Sequence, residues 1–303
     1  METAFIEACR SFIEPNRFRL DEPMKLHTTF KIGGPADCLI FPASMEEVER
    51  VMALVKKYDL PLTILGNGSN VLVQDGGIRG VVVKFARPMG AIRCEGARII
   101  AASGALLKDV SESAAANGLT GLEFACGIPG SVGGALFMNA GAYDGEMKNV
   151  ADRVRTVDVN GTVHQYERAS LDLGYRHSAF QQNGEAIVEV EFLLRKGTEQ
   201  DIRAKMEDFT NRRECKQPLE MPSAGSTFKR PAGYFAGTLI DQTGLKGLTV
   251  GGAQVSTKHA GFVVNIGGAT AADIRDLIKE VQKRVYAAHG VRLYPEVRII
   301  GEP

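Results

Sequence analysis

The chain has 303 residues, of which 44% are hydrophobic and 24% charged, and its 36 Lys and Arg balance 36 Asp and Glu. This length predicts about two domains, and zero net charge disfavours a general nucleic-acid binder, which carries a basic excess. No apolar run reaches the roughly 18 residues of a membrane span, and the acidic start lacks the segments of a signal peptide, so we expect a cytoplasmic protein.

Residues 1–66 predict a small β-α-β unit. Helices are expected at 3–13 and 45–58, the second because apolar residues recur at helical spacing behind the capping pair Ser44 and Glu47. Strands are expected on either side of the second helix, at Asp37–Phe41 and Leu62–Leu65.

From about 71 to 195 the chain predicts a mostly antiparallel sheet. Short β-rich runs are separated by turn signals such as Asn160-Gly161. One helix, at about 105–117, interrupts the runs. This is the pattern of an α+β layer.

The last third predicts a charged connecting helix at 199–213 and a second α+β segment at 223–303. Its clearest element is a helix at 270–288, where an apolar stripe is followed by Gly290 as a stop signal.

The cysteines and histidines predict neither a disulfide framework nor a metal site. There are five of each, the cysteines form no C-x-x-C pair, and the histidines lack metal-ligand spacing. Free thiols in a reducing compartment are expected. The cysteines are Cys9, Cys38, Cys94, Cys126 and Cys215.

Glycine is in excess, at 34 residues, and a first cluster forms a turn between two strands. Successive backbone N–H groups in such a turn hold a phosphate well, and glycine removes the Cβ from the approach path. An ordinary glycine hairpin has the same sequence, so both interpretations stay open. Because a strand follows, the turn is not a dinucleotide fingerprint. Its residues are Gly66, Asn67, Gly68, Ser69 and Asn70.

A second glycine cluster occupies residues 127–146. It predicts a turn and a close-packed helix start, or else a buried crossing of two backbone segments. Two such clusters in one chain favour a long ligand that contains a diphosphate. The candidate cofactor-binding residues here are Gly127, Pro129, Gly130, Ser131, Gly133, Gly134, Asn139 and Gly141.

Six motifs occur in a fixed order along the chain. They are Gly66–Asn70; Gly127–Gly134 with Asn139–Ala142; Tyr175-Arg176-x-Ser178; Ala224–Lys229; His259–Phe262 with Asn265; and Pro295–Val297. In this order, over residues 20–300, they resemble the UDP-N-acetylenolpyruvoylglucosamine reductase (MurB) family.

The resemblance implies an α+β fold: an FAD-binding module of the vanillyl-alcohol-oxidase (PCMH) type in two lobes, 1–66 and 67–198. A substrate domain follows at 199–303, and its C-terminal strand, around Tyr294–Ile300, returns to the flavin. The stretch after Ser178 leaves no room for an inserted tyrosine loop, so the chain resembles the shorter type of the family.

The resemblance also implies a reaction. Non-covalently bound FAD, reduced by NADPH, passes hydride to the enolpyruvyl group of a UDP-sugar in peptidoglycan precursor synthesis. Arg176 is expected to contact the substrate carboxylate or the developing enolate. Glu296 is expected to lie on the same charge, either protonated or acting through a cation or water. Ser226 is expected to protonate C2. Without the resemblance, Glu296 is better interpreted as a surface glutamate. For Ser226, an ordinary turn serine and a proton donor both stay open.

Three cations are expected to bind the substrate. Lys216 matches a family lysine associated with the UDP part, and Lys229 or Lys216 would stabilise the Ser226 alkoxide. Arg230 stands where relatives often carry asparagine. His27 is expected to be structural.

Two alternatives remain at this stage. Another flavoenzyme on the same fold, such as an oxidase or dehydrogenase, would explain both glycine clusters without requiring Arg176, Ser226 and Glu296. A nucleotide-binding module without enzymatic activity would also accommodate them.

Overall fold

The computed structural model of the protein describes residues 2–303 and divides into two compact units. The first comprises the chain up to Leu20, Cys38–Asn67 and Gly80–Arg212; the second comprises Asp21–Asp37, Gly68–Arg79 and Arg213–Pro303. Met1, the first residue of the expected 1–66 lobe, lies outside the described residues. The three-part division into two cofactor lobes and a substrate domain stays a prediction, because compactness does not report what each part binds.

The helices and strands are numbered in chain order. The helices are α1 (Thr3–Arg10), α2 (Met45–Lys57), α3 (Leu107–Ala116), α4 (Val132–Phe137), α5 (Met147–Val150), α6 (Phe180–Asn183), α7 (Glu199–Lys216), α8 (Ala236–Gln242) and α9 (Ala271–His289). The strands are β1 (Phe18–Pro23), β2 (Pro35–Ile40), β3 (Leu62–Leu65), β4 (Val71–Val73), β5 (Ile78–Lys84), β6 (Ile92–Glu95), β7 (Arg98–Ala102), β8 (Leu119–Thr120), β9 (Gly141–Ala142), β10 (Gly145–Glu146), β11 (Ala151–Val157), β12 (Val163–Glu167), β13 (Ala186–Leu193), β14 (Arg195–Lys196), β15 (Ser223–Ser226), β16 (Thr249–Val250), β17 (Ala253–Val255), β18 (Phe262–Asn265) and β19 (Arg298–Ile300).

The first unit contains an antiparallel sheet in the order β12-β11-β13-β7-β6. From Val188 to Leu193 of β13, buried residues alternate with more exposed ones. Helices α3 and α4 contribute Leu107, Val110 and Leu136 to the fully buried core on the covered face of the sheet. This arrangement confirms the predicted antiparallel layer with a helical cover.

A second core in the first unit lies under α2. Ser44 accepts a hydrogen bond from the Glu47 N–H and so caps this helix. The Glu47 carboxylate in turn binds Arg17 as a bidentate pair. The apolar stripe of α2 packs with β5, and β3 pairs with β5 in parallel register, Leu65 opposite Lys84. The predicted β-α-β unit is present, with β5 between its two strands.

The second unit is built on the antiparallel sheet β15-β18-β17-β16, which α8 and α9 cover. Helix α9 begins at a Thr270–Asp273 capping box and ends at Gly290, whose φ of 68° is left-handed. Both Asp75 carboxylate oxygens accept backbone N–H groups from its first turn. Strand β19 pairs in parallel with β4.

Most predicted helices differ from the observed ones only at their ends. The first helix stops at Arg10 rather than 13, and the connecting helix runs on to Lys216. Helices are commonly mis-bounded by sequence because their terminal turns depend on tertiary contacts. Among residues 2–303, no helix combines the length and the hydropathy that crossing a membrane requires.

Candidate active site

The two glycine clusters meet in the first unit. A Cβ built on Gly66 would lie 2.5 Å from Ser131 Oγ and 3.5 Å from the Gly134 backbone. The Asn67 side-chain amide donates a hydrogen bond to the Pro129 carbonyl, 2.7 Å away. Only glycine at position 66 therefore lets the two turns approach without displacing the serine.

The second turn is fixed from beneath by main-chain hydrogen bonds. Leu107 N–H donates to Gly130 O, and Gly133 N–H donates to Ser103 O, each at 3.0 Å. A Cβ on Gly133 would overlap the Ser103 hydroxyl, whereas one on Gly134 would have ordinary space, 3.6 Å from Ser131 Oγ. The two adjacent glycines thus have different reasons to be there.

The junction of the turns offers unused hydrogen-bonding groups. Ser131 is 1% exposed, and its hydroxyl makes no hydrogen bond within residues 2–303. The Asn67 N–H likewise has no acceptor in the described chain. Buried polar groups without partners are rare in native proteins, and a bound ligand is one reason for them. A neutral hydroxyl and a backbone N–H are donors suited to a phosphate or diphosphate group.

Lys84 lies directly beneath the first turn. Its ammonium donates to the Gly66 carbonyl at 2.6 Å, and burial lowers the pKa of this lysine to about 8. Sequence reasoning did not single it out as a site residue. The available signal was a lysine inside the apolar run Val81-Val82-Val83-Lys84-Phe85, because a buried charge is the informative exception in a strand.

Gly127 and Gly141 lie at the two ends of the second cluster. Gly127 is half-buried between a short 3₁₀ turn and the Pro129 segment. Gly141 pairs with Glu146 in the β9–β10 hairpin, and a Cβ there would lie 2.7 Å from the Gly145 carbonyl. The close approach of two backbones explains this glycine, and its expected cofactor contact stays a prediction.

Asn139 is fully buried, and its side chain is committed to the protein. Its amide donates to Gly174 O at 2.8 Å and to Glu146 at 2.9 Å, and its carbonyl accepts from Lys148 N at 2.9 Å. No side-chain donor is left over for a cofactor. Its side chain holds the turn that carries Arg176, and its expected contact with the cofactor stays a prediction.

Arg176 is half-buried in that tight turn. Gly174 and His177 exchange backbone hydrogen bonds at 3.1 Å, and Arg176 between them has a φ of 55°. A left-handed conformation is uncommon for a residue with a long side chain and is kept where surrounding structure imposes it. Here Gln181 donates to the Arg176 carbonyl at 3.0 Å, and the guanidinium lies 5.1 Å from the centre of the Tyr175 ring.

The remaining residues of the first turn belong to the second unit. Gly68 has a φ of 72°, and a Cβ there would overlap the His27 carbonyl. Thr29 N–H donates to Gly68 O at 3.1 Å. Ser69 and Asn70 follow, both half-buried. The segment 27–29 therefore supports this turn, which agrees with a structural place for His27.

Ser226 and Glu296 come together in the second unit. Glu296 N–H donates at 2.8 Å to the carbonyl of Thr227, the residue after Ser226, and Lys229 N–H donates to Tyr294 O at 2.8 Å. The Asn70 amide donates to the Glu296 carbonyl at 3.3 Å. Four predicted residues from three distant segments of the sequence thus share one backbone junction. Arg176 lies in the first unit, and its approach to them stays a prediction.

The side chains at this junction are accessible. Ser226 is exposed, Glu296 is half-buried, and Thr227 between their strands is 2% exposed. Thr227 Oγ1 accepts the Val263 N–H at 2.9 Å. The threonine hydroxyl is therefore structural, whereas the hydroxyl of its exposed neighbour Ser226 is open to a ligand.

The three predicted substrate cations are all exposed and all in the second unit. Lys216 is the last residue of α7, and Lys229 lies three residues after the end of β15. The Arg230 guanidinium lies 4.0 Å from the centre of the Phe235 ring, in a cation–π contact. Their contacts with a substrate stay predictions.

The His259–Phe262 motif and Asn265 are structural in this unit. Gly261 N–H donates to His259 Nδ1 at 3.1 Å, and burial lowers the pKa of His259. Asn265 is buried; its amide donates to Phe30 O, and its carbonyl accepts from Gly267 and Ala269. The motif anchors β18 and the approach to α9.

The first unit also contains a pocket of about 720 Å³ beside the stacked rings of Tyr143 and Phe209. None of the residues predicted for the site lines it. Its volume alone therefore does not identify it as the cofactor site.

Comparison with known proteins places this geometry in a family. Residues 36–167 match the FAD binding domain, and residues 217–300 match the family described as UDP-N-acetylenolpyruvoylglucosamine reductase, C-terminal domain. The UDP-N-acetylenolpyruvoylglucosamine reductases of Clostridium perfringens (strain SM101 / Type A) and Clostridium botulinum (strain Hall) are both 52% identical to this chain. Each alignment covers 98% of this chain and 97% of the relative.

The chain belongs to the UDP-N-acetylenolpyruvoylglucosamine reductase family.

A solved structure of the family supports the same conclusion. The reductase (MurB) from Thermus caldophilus superposes with a TM-score of 0.81 at 35% identity, over 94% of this chain and 98% of that one. An alkyldihydroxyacetonephosphate synthase, 18% identical with a TM-score of 0.52, shares only the fold; its match spans 65% of this chain and 41% of that one. The predicted family, the α+β PCMH-type fold and the FAD-dependent oxidoreductase class are confirmed.

The matched segments divide the predicted site. Both glycine turns fall within the FAD-binding segment, and Ser226, Lys229, Arg230 and Glu296 fall within the C-terminal one. Arg176 and Lys216 lie outside both.

Proposed function

We propose that this protein reduces UDP-N-acetylenolpyruvoylglucosamine to UDP-N-acetylmuramate, with NADPH as the donor, in cytoplasmic synthesis of peptidoglycan precursors. The observation that carries the proposal is 52% identity to reductases of this name over 98% of the chain. The shared backbone junction of Ser226 and Glu296 supports it, because this reaction needs a proton donor and an anion-stabilising group close together.

The glycine turns hold the cofactor. When bound there, FAD would supply the redox chemistry, which is hydride transfer from NADPH to C3 of the enolpyruvyl group. The Asn67 N–H and the Ser131 hydroxyl donate to its diphosphate, and the absence of side chains at Gly66 and Gly134 lets the backbone come close.

Arg176 binds the enolpyruvyl carboxylate. Its guanidinium stays charged and can donate two parallel hydrogen bonds to a carboxylate. Hydride addition at C3 moves negative charge onto this carboxylate and C2, so the same arginine stabilises the charge that develops. The turn held by Asn139 fixes its direction.

Ser226 gives its proton to C2, which completes the saturation of the double bond. A serine hydroxyl is a weak acid, so the alkoxide left behind needs a cation, and Lys229 or Lys216 supplies it. Glu296, protonated or acting through a cation or water, stabilises the same developing negative charge and lies beside the serine at the shared backbone junction.

The test is an anaerobic titration of the flavin-loaded protein. NADPH should bleach the visible flavin absorbance, and UDP-N-acetylenolpyruvoylglucosamine should then restore it. UDP-N-acetylglucosamine, which lacks the enolpyruvyl group, is the matched control and should leave the flavin reduced. Bleached flavin that the enolpyruvyl compound does not re-oxidise would contradict the proposal and favour another flavoenzyme of this fold.

A further inference from the structure

Lys84 places a charged side chain in a buried position, which is energetically unfavourable. It ends the buried strand β5 and is 7% exposed. Removing an ammonium from water is unfavourable unless a specific interaction offsets the loss. The lowered pKa of this lysine, about 8, reflects the same burial.

Its ammonium binds the backbone at the start of the first glycine turn. Lys84 pairs in register with Leu65, the last residue of β3, so its side chain reaches the next carbonyl, that of Gly66, at 2.6 Å. A glycine peptide rotates more freely than others. The charge-assisted bond therefore fixes a peptide that would otherwise have several orientations.

The orientation of that peptide decides what the turn presents. No cis peptide bond occurs among residues 2–303, and in a planar trans peptide the C=O and N–H groups point to opposite sides. With the Gly66 carbonyl held by Lys84, the Asn67 N–H points away from the Lys84 ammonium. This N–H has no acceptor in the described chain, and the Asn67 side chain contacts the second turn through Pro129.

We propose that Lys84 is a positioning residue of the cofactor site. It holds the Gly66–Asn67 peptide so that an N–H, and not a carbonyl oxygen, faces the diphosphate of FAD. Rotation of this peptide would point a partial negative charge at the phosphates. The inference rests on the proposed function in so far as it assigns the diphosphate to this turn.

The experiment compares Lys84→Met, which keeps the length but not the charge, with Lys84→Arg, which keeps the charge and a donor. Lys108→Met, at an exposed position on α3, removes one positive charge elsewhere and is the control. Apo-protein is titrated into FAD and into riboflavin, which lacks the phosphates, and affinity is read from the fluorescence of the flavin itself. ADP, which carries a diphosphate without the flavin ring, is titrated by calorimetry.

Lys84→Met should weaken FAD and ADP binding about ten- to hundredfold, the range for a lost hydrogen bond to a charged group. Riboflavin affinity should change less than about twofold, Lys84→Arg should recover most of the FAD affinity, and Lys108→Met should match the parent. Unchanged FAD affinity in Lys84→Met would overturn the proposal. Equal losses of affinity for riboflavin and FAD would also overturn it, because they would indicate that Lys84 only supports the fold. Failure of the parent protein to bind FAD would instead contradict the proposed function.

Discussion

The glycine turns of the first unit and the Ser226–Glu296 junction of the second differ in which groups they leave accessible. At the turns, Gly66 and Gly133 leave no room for a side chain, and the useful donors are a backbone N–H and the buried Ser131 hydroxyl. At the junction, main-chain hydrogen bonds through Thr227 join two strands and leave the neighbouring side chains accessible. The proposed function assigns recognition of a ligand by backbone groups to the first region and chemistry by side chains to the second.

This contrast predicts which substitutions should affect the reaction alone and which should also affect cofactor binding and stability. A side chain added at the turns changes shape, so cofactor binding and stability should fall together. A side chain removed at the junction leaves the backbone bonds intact, so chemistry should fall alone.

The largest effect is expected at the junction. Ser226→Ala should slow re-oxidation of the flavin by the enolpyruvyl substrate about 10²–10⁴-fold, the usual contribution of a positioned proton donor. Flavin reduction by NADPH should stay near the parental rate. Stopped-flow absorbance measures both steps. Ser223→Ala, at the other end of β15, is the control, and equal slowing of both steps in Ser226→Ala would remove the contrast.

The adjacent glycines Gly133 and Gly134 of the second turn should differ in how much stability an added side chain costs. Gly133→Ala should lower the free energy of unfolding by about 3 kcal/mol and reduce bound flavin, because its Cβ would overlap the Ser103 hydroxyl. Gly134→Ala should cost less than about 1 kcal/mol, since the helix accepts alanine readily. Urea unfolding of both variants measures the difference. Equal losses would show that the Ser103 hydroxyl does not require glycine at position 133.

Lys84 should make the free energy of unfolding depend on pH. Burial lowers its pKa to about 8 from 10.5, so the folded protein binds fewer protons than the unfolded chain between these values. The free energy of unfolding should therefore rise with pH across this window, by at most about 3 kcal/mol. Urea unfolding of apo-protein against Lys84→Met isolates this contribution, because both proteins share every other titrating group. A pH-independent difference would contradict the burial of a charged lysine.

A smaller effect is expected at Asn139, which connects the second cluster to the Arg176 turn. Asn139→Ala should cost about 1–3 kcal/mol of stability, because it leaves buried groups without partners. Loosening of the Arg176 turn should also raise KM for the enolpyruvyl substrate while leaving KM for NADPH less affected. Asn117→Ala, at an exposed position, is the control. Unchanged steady-state kinetics would show that Arg176 needs no such support.

The same contrast explains what could be predicted from sequence. The glycine-rich runs that contain Gly66 and Gly133 are visible in the sequence, and a Cβ at either position would clash with a serine hydroxyl, that of Ser131 or of Ser103. The amphipathic helices and alternating strands were likewise predictable, since each pattern is local. The meeting of Ser226 with Glu296 was not, because it depends on β19 pairing with β4 and on a hydrogen bond at Thr227 between segments some 70 residues apart in the sequence. Asn139 was expected near the cofactor, and its buried, fully used amide could be seen only in three dimensions.

One measurement tests the separation of the two regions most directly: flavin absorbance followed anaerobically through NADPH addition and then substrate addition, in Gly133→Ala and Ser226→Ala side by side. We predict that Gly133→Ala carries little flavin, and that whatever it retains completes both steps. Ser226→Ala should carry a full complement that bleaches normally and fails to recover its colour on the time scale of the parent. A Ser226→Ala protein that loses its flavin, or recovers its colour at the parental rate, would contradict the account.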